Sequence, residues 1–270
     1  MLHLRLLSAL VLIPILVAAG WFGEPWTSLV VGVFVAAAAY EFGLLAERAE
    51  CHPLRWAVLL LALAFFAAAS LEANTGRSVV GLVLAGAVIL VLAGRLLRRQ
   101  ATTAFADWGV TLGGAIWTGW LLSHFILLRA LPNGRSWVIL ALLLTFASDT
   151  AAYAVGRWWG RHPLAPAISP AKTVEGALGA LLLTPLVALA LSVILGLAIS
   201  PLAAVLLGLA ASLGAQLGDL AESAVKRAAQ VKDASMLIPG HGGVLDRIDS
   251  LAVVAVVLYF LYPLLTAMSA

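Results

Sequence analysis

The chain has 270 residues, 63% of them hydrophobic and 11% charged, with a mean hydropathy of +1.06. A soluble domain carries about 25% charged residues, so these few charges cannot cover a water-facing surface and a soluble globular protein is excluded. The net charge of +3 and a pI near 9.4 could suggest a nucleic-acid partner. That reading is rejected, because the basic residues sit in short connections between apolar runs, as topology signals and phosphate ligands do. The single cysteine, Cys51, excludes an internal disulfide and reads as a plain loop residue.

The apolar material falls into runs of about 20 residues, the length that crosses a bilayer core. The fold class expected is therefore all-α, a polytopic integral membrane protein of about nine transmembrane helices. In chain order these run from Leu6 to Trp21, Thr27 to Leu45, Arg55 to Leu71, Val79 to Leu97, Trp108 to Leu131, Trp137 to Trp159, Pro170 to Ala198, Pro201 to Val225 and Ser250 to Ala267. The first run, with Arg5 ahead of it and Val17-Ala18-Ala19-Gly20 at its end, has the features of a signal peptide. With many spans to follow, an uncleaved helix is the simpler reading.

Cytoplasmic loops carry an excess of Lys and Arg. With the N-terminus cytoplasmic, 13 of the 16 basic residues fall on that side, and only Arg77, Arg129 and Arg135 fall outside. The two most polar segments, 157–172 and 219–249, then share the cytoplasmic side. Residues 1–135 read as a scaffold of helices and 136–270 as a catalytic region. In the scaffold, Glu41 is the main intramembrane charge, and its place near the cytoplasmic end of its helix suggests snorkelling.

Seven of the 13 acidic residues lie between Asp149 and Asp249. Charge in or beside a membrane is expensive and usually faces a functional cavity. Asp219, Glu222, Ser223 and Lys226 are spaced i, i+3, i+4, i+7 and form one stripe on a helix. Gly214 and Gly218, just before it, form a GxxxG pair that admits a close neighbour. Asp246 and Asp249 are again i, i+3. Two such carboxylate clusters brought together suit Mg²⁺, which takes a few carboxylates plus substrate phosphates. Lys226, Arg227, Lys232 and Arg247 could neutralise phosphate oxygens. The Pro239-Gly240-His241-Gly242-Gly243 loop can turn backbone N–H groups toward an anion. No Walker A motif occurs, so a soluble-type nucleotide domain is not implied.

Upstream, Ser169-Pro170 reads as a helix cap followed by proline at the first helical position, with Lys172 in the first turn of a helix whose N-terminus suits phosphate. Asp149 lies about 12 Å inside the cytoplasmic helix end at Arg157, which suggests a polar cavity.

The segment from Ser223 to Asp249 resembles the signature of phosphatidate cytidylyltransferases, also called CDP-diacylglycerol synthases. It matches at Ser223, Lys226, Arg227, Lys232, Asp233, Ser235, Pro239, His241, Gly242, Gly243, Asp246, Arg247 and Asp249. The stretch from Asp149 through Gly156-Arg157 to Ser169-Pro170-Ala171-Lys172-Thr173-Val174-Glu175-Gly176 resembles a second part of the same family pattern. There Ala171 replaces a customary lysine, and Ser235 stands where glycine is common. The resemblance covers about residues 140–260.

It implies transfer of a cytidylyl group from CTP to phosphatidic acid, giving CDP-diacylglycerol and pyrophosphate, with Mg²⁺ as cofactor. The implied catalytic group is Lys226, Arg227, Lys232, Asp233, His241 and Asp249, with no proton-transfer role assigned to His241. Substrate binding falls to Asp149, Ser169, Lys172, Glu175, Ser223, Gly242, Gly243 and Arg247, and metal binding to Asp219, Asp246 and Glu222. The implied partners are CTP, phosphatidic acid and the lipid bilayer, with a homodimer left open and no nucleic acid. The location is the bacterial inner membrane with the site facing the cytoplasm. Two alternatives stay open: transfer to another lipid phosphate, and an ion-coupled transporter using Asp149.

Overall fold

The computed structural model describes residues 14–97, 103–238 and 242–269. His241, Pro239 and Gly240 of the signature, and Arg5, Arg98 and Arg99 of the charge tally, lie outside the described residues. Residues 14–22 are helical and form α1. Then follow α2 (Trp26–Arg48), α3 (Arg55–Thr75), α4 (Val80–Leu97), α5 (Ala104–Ala115), a π-helical stretch (Ile116–Leu121), α6 (Leu122–Ala130) and α7 (Gly134–Trp159). A small antiparallel pair, β1 (Pro163–Ala165) and β2 (Ser169–Thr173), precedes α8 (Val174–Ile194), α9 (Pro201–Ala228) and α10 (Leu245–Ala267). Among the described residues, eight helical segments are long and apolar enough to cross a membrane, with α5, the π stretch and α6 counted as one. The chain is thus a polytopic all-α membrane protein, as its hydropathy predicts.

One boundary departs from expectation for a clear reason. Ser169, Pro170 and Lys172 lie in β2, not at a helix start. Thr173 is the cap instead: its hydroxyl accepts from the Gly176 N–H at 3.1 Å. Thr173 is extended and a good N-cap residue, so α8 begins at Val174, and β2 pairs with β1 across a short turn.

The helices cluster into two compact units, Met1–Ala130 with Val225–Ile248, and Leu131–Ala224 with Asp249–Ala270. Val225–Ile248, most of the signature segment, therefore groups with the N-terminal helices. In the first unit, Phe65, Ala87, Val91 and Ala115 are core residues contributed by α3, α4 and α5. The π stretch packs so tightly on α3 that a Cβ on Gly119 would lie 2.5 Å from the Ala62 Cα.

Arg95 and Asp107 form a fully buried ion pair in this unit. The Asp107 carboxylate also accepts the His52 N–H at 2.6 Å, and Arg95 donates to the His52 carbonyl at 3.1 Å. Charges removed from water need this degree of pairing. Arg95, counted from sequence as a loop cation, is thus a buried tie.

In the second unit, α9 and α10 meet along the GxxxG seam. A Cβ on Gly218 would collide with the Asp249 carbonyl oxygen, and would lie 2.9 Å from the Ser250 Cα. Ser250 donates to the Ala215 carbonyl at 3.0 Å. The small residues let the two backbones touch, as such motifs do between membrane helices.

Candidate active site

The second unit gathers three carboxylates. Asp219 and Glu222 are i, i+3 on α9, and Asp249 faces them from α10 because Gly218 admits that helix. One oxygen from each lies within 4.8 Å of the others. Glu222 is 1% and Asp249 9% exposed, while Asp219 is half-buried. So compact a set of mostly buried anions repels itself strongly unless a cation screens it. Lys172 Nζ, presented by β2, pairs with Asp219 Oδ2 at 2.7 Å. An all-oxygen donor set of this kind also fits a hard divalent ion such as Mg²⁺, which keeps positions for water and substrate phosphate.

A cavity of about 550 Å³ opens beside this cluster. Asp149, Tyr153, Arg157, Ser169, Lys172 and Asp219 line it. Its walls come from α7, the β1–β2 pair, α8 and α9. Close approach of α7 to α8 depends on glycine: a Cβ on Gly176 would lie 2.5 Å from the Ala152 carbonyl oxygen. Gln216, one turn before Asp219, also reaches the cavity; its amide N–H₂ donates to the Ala177 carbonyl and to Ser212 Oγ. Polar residues on an otherwise apolar helix face could have flagged Gln216, although an amide carries a weaker signal than a charge.

The other expected site residues divide as follows. Glu175 secures the connection into β1. Its carboxylate accepts the Arg161 and His162 N–H groups at 3.0 and 3.2 Å and meets His162 Nδ1 at 2.6 Å. Ser223 is half-buried on α9.

Asp246 belongs to the first unit and is held within it. Its Oδ1 pairs with Lys226 Nζ at 2.6 Å, and its Oδ2 accepts the Ala234 and Gly243 N–H groups at 2.9 and 2.7 Å. Gly242 has φ +82°, a left-handed conformation that suits glycine, and a Cβ there would lie 2.7 Å from Asp246 Oδ2. Ile238 pairs with Gly242 as an isolated bridge. Arg227, Lys232, Asp233 and Arg247 are exposed.

One residue of this unit escaped sequence reasoning. Glu41, expected to snorkel toward water, is 2% exposed. Its carboxylate accepts the Val244 and Leu245 N–H groups at 3.0 and 2.7 Å and the Ser235 hydroxyl at 2.5 Å. Three donors from the signature segment satisfy the charge where solvent would otherwise have to. A lone carboxylate in an apolar helix was the available signal, but its partners lie about 200 positions away in sequence.

The sequence pattern of the cytidylyltransferase family matches residues 3–265. The chain belongs to that family. Relatives named phosphatidate cytidylyltransferase include one from Bacillus subtilis, 38% identical over 179 residues, which cover 66% of each chain. Another, from Mycobacterium tuberculosis, is 33% identical over 192 residues, covering 67% of this chain and 58% of the relative. A third, from Staphylococcus saprophyticus, is 42% identical over 118 residues, covering 44% of this chain and 45% of the relative. In each case the aligned stretch spans less than two thirds of the relative's own length.

Proposed function

We propose that this protein transfers the cytidylyl group of CTP to phosphatidic acid, giving CDP-diacylglycerol and pyrophosphate, on the cytoplasmic side of a bacterial inner membrane. The observation that carries this reading is the carboxylate trio beside a cavity lined by Lys172, Arg157 and Ser169, in a chain of this family. The names of the relatives support the choice of substrates. The charge tally, which puts 13 of 16 basic residues on one side, supports the orientation.

The lipid phosphate is already an anion, so its attack on the α-phosphate of CTP needs no strong base. The main barrier is repulsion between anions. Asp219, Glu222 and Asp249 are the residues that would hold Mg²⁺, and the ion would supply charge screening and stabilise the departing pyrophosphate. Lys172 and Arg157 bind phosphate oxygens at the cavity wall and hold them in line. When nucleotide enters, Lys172 exchanges its bond to Asp219 for one to phosphate, which frees a carboxylate oxygen.

The test is incubation of purified protein in detergent micelles with α-labelled CTP, with and without phosphatidic acid and Mg²⁺. Lipid-soluble label and pyrophosphate should form only when all components are present. A panel including an isoprenoid ether-lipid phosphate separates the lipid alternatives. Absence of labelled lipid across the whole panel would refute the assignment, and ion flux across vesicles without CTP consumption would establish the transporter alternative.

A further inference from the structure

Helix α10 begins without a cap of its own. The residues before it are Gly242, Gly243 and Val244, none with a polar side chain, yet the first N–H groups of any helix lack intrahelical acceptors. Glu41 of α2 fills that place from elsewhere in the chain. Its two carboxylate oxygens take the Val244 and Leu245 N–H groups, and its negative charge sits at the positive end of the helix dipole. Oε1 also holds the Ser235 hydroxyl at 2.5 Å. Gly243 leaves room for it: a Cβ there would lie 2.6 Å from Glu41 Oε2. The same short segment is tied from its other side by Asp246, through the Ala234 and Gly243 N–H groups and Lys226.

We infer that Glu41 is a positioning residue for the reaction: it holds Ser235, Val244 and Leu245 of the signature segment and thereby sets the direction of Asp246 and Lys226. This inference rests on the cytidylyltransferase reading. The carboxylate touches no substrate atom in it. Glutamine at this position cannot serve as well, because its N–H₂ would face a backbone N–H. Glycine at Ser235 removes the hydroxyl's bonds to Glu41 and to the Leu237 N–H and leaves the cap.

The experiment uses the full chain in detergent and compares Glu41→Gln, Glu41→Asp and Ser235→Gly with the wild type. For Glu41→Gln, kcat should fall at least ~10-fold while KM for CTP moves less than ~3-fold, the pattern of a lost orientation and not of lost binding. Glu41→Asp should recover part of the loss, and Ser235→Gly should lose the least. Trypsin should cleave after Lys232 at least ~5-fold faster in Glu41→Gln because local opening controls such cleavage, with cleavage after Arg77 unchanged as the control. Unchanged kcat, or equal acceleration at both sites, would overturn the inference. Should Glu41→Gln fail to accumulate, Gly243→Ala, which drives a methyl group against the Glu41 carboxylate, must reproduce both effects or the inference falls. If the wild type makes no labelled lipid, the activity reading fails by itself, and the Lys232 cleavage comparison still decides whether Glu41 holds the segment.

Discussion

Each carboxylate of the candidate centre is defined by what surrounds it. Asp219 is half-buried and paired with Lys172, whereas Glu222 and Asp249 are nearly sealed from solvent. Asp246, of the same residue type and only three positions from Asp249, is held by a lysine and two backbone N–H groups in a different unit. Sequence spacing made all four visible as candidates. It could not sort them, because i, i+3 spacing states that two residues share a helix face and leaves open what that face meets. Lys172 gives the most direct test at this scale. Replacing it by alanine removes a charged contact of about 1.5–3 kcal/mol, so KM for CTP should rise ~10–100-fold with membrane insertion unchanged, measured by initial rates at varied CTP. An unchanged KM would remove Lys172 from nucleotide binding.

The helices owe their places to small residues and buried polar ties more than to their apolar surfaces, which lipid satisfies equally well. Gly218 shows this best. Its added Cβ would collide with the α10 backbone, while the nearest atoms to one on Gly214 are the side-chain atoms Val257 Cγ2 at 3.2 Å and Val253 Cγ1 at 3.4 Å. Gly218→Ala should therefore cost about 1–3 kcal/mol and depress turnover by moving Asp249, and Gly214→Ala should be milder in both respects. Thermal unfolding and rate assays on the two variants check the order. The Arg95–Asp107 tie makes a second element-level prediction. Asp107→Ala strands a buried arginine and should destabilise by about 3–5 kcal/mol, with much of the loss recovered when Arg95 becomes Met as well; denaturation of the single and double variants measures it.

Eight of the nine expected spans were legible from hydropathy, and the first, Leu6 to Trp21, lies largely outside the described residues; a run of about 20 apolar residues has few other uses. The GxxxG seam was legible too. The start of α8 was not, because Ser169-Pro170 fits a cap as well as a strand, and only the pairing of β1 with β2 decides between them. The Arg95 tie and the Glu41 cap were hidden for a related reason: each is a long-range partnership, and sequence spacing reports only local ones.

For the molecule as a whole, the charge distribution predicts the orientation, and with it the side from which the proposed nucleotide would come. Arg77 and Arg161 are both exposed and belong to opposite sides of the expected topology. In a Cys51→Ser background, Arg161→Cys should react with a membrane-impermeant maleimide only after cells are broken, and Arg77→Cys without breakage. The reverse pattern would invert the topology. The native thiol is a poor reporter by comparison, since burial and the nearby Asp107 carboxylate push Cys51 above its ordinary pKa and leave little reactive thiolate.

The proposed transfer needs a divalent cation at the α9 and α10 carboxylates. Its most direct measurement is the Mg²⁺ dependence of lipid-soluble label formed from CTP by the wild type and by Asp249→Asn, at matched amounts of inserted protein. The Mg²⁺ midpoint of the variant should rise at least ~10-fold, with maximal turnover down by ~100-fold or more, since even the loss of a supporting partner around a metal costs about 10–100-fold. Superimposable Mg²⁺ curves with equal turnover would contradict it.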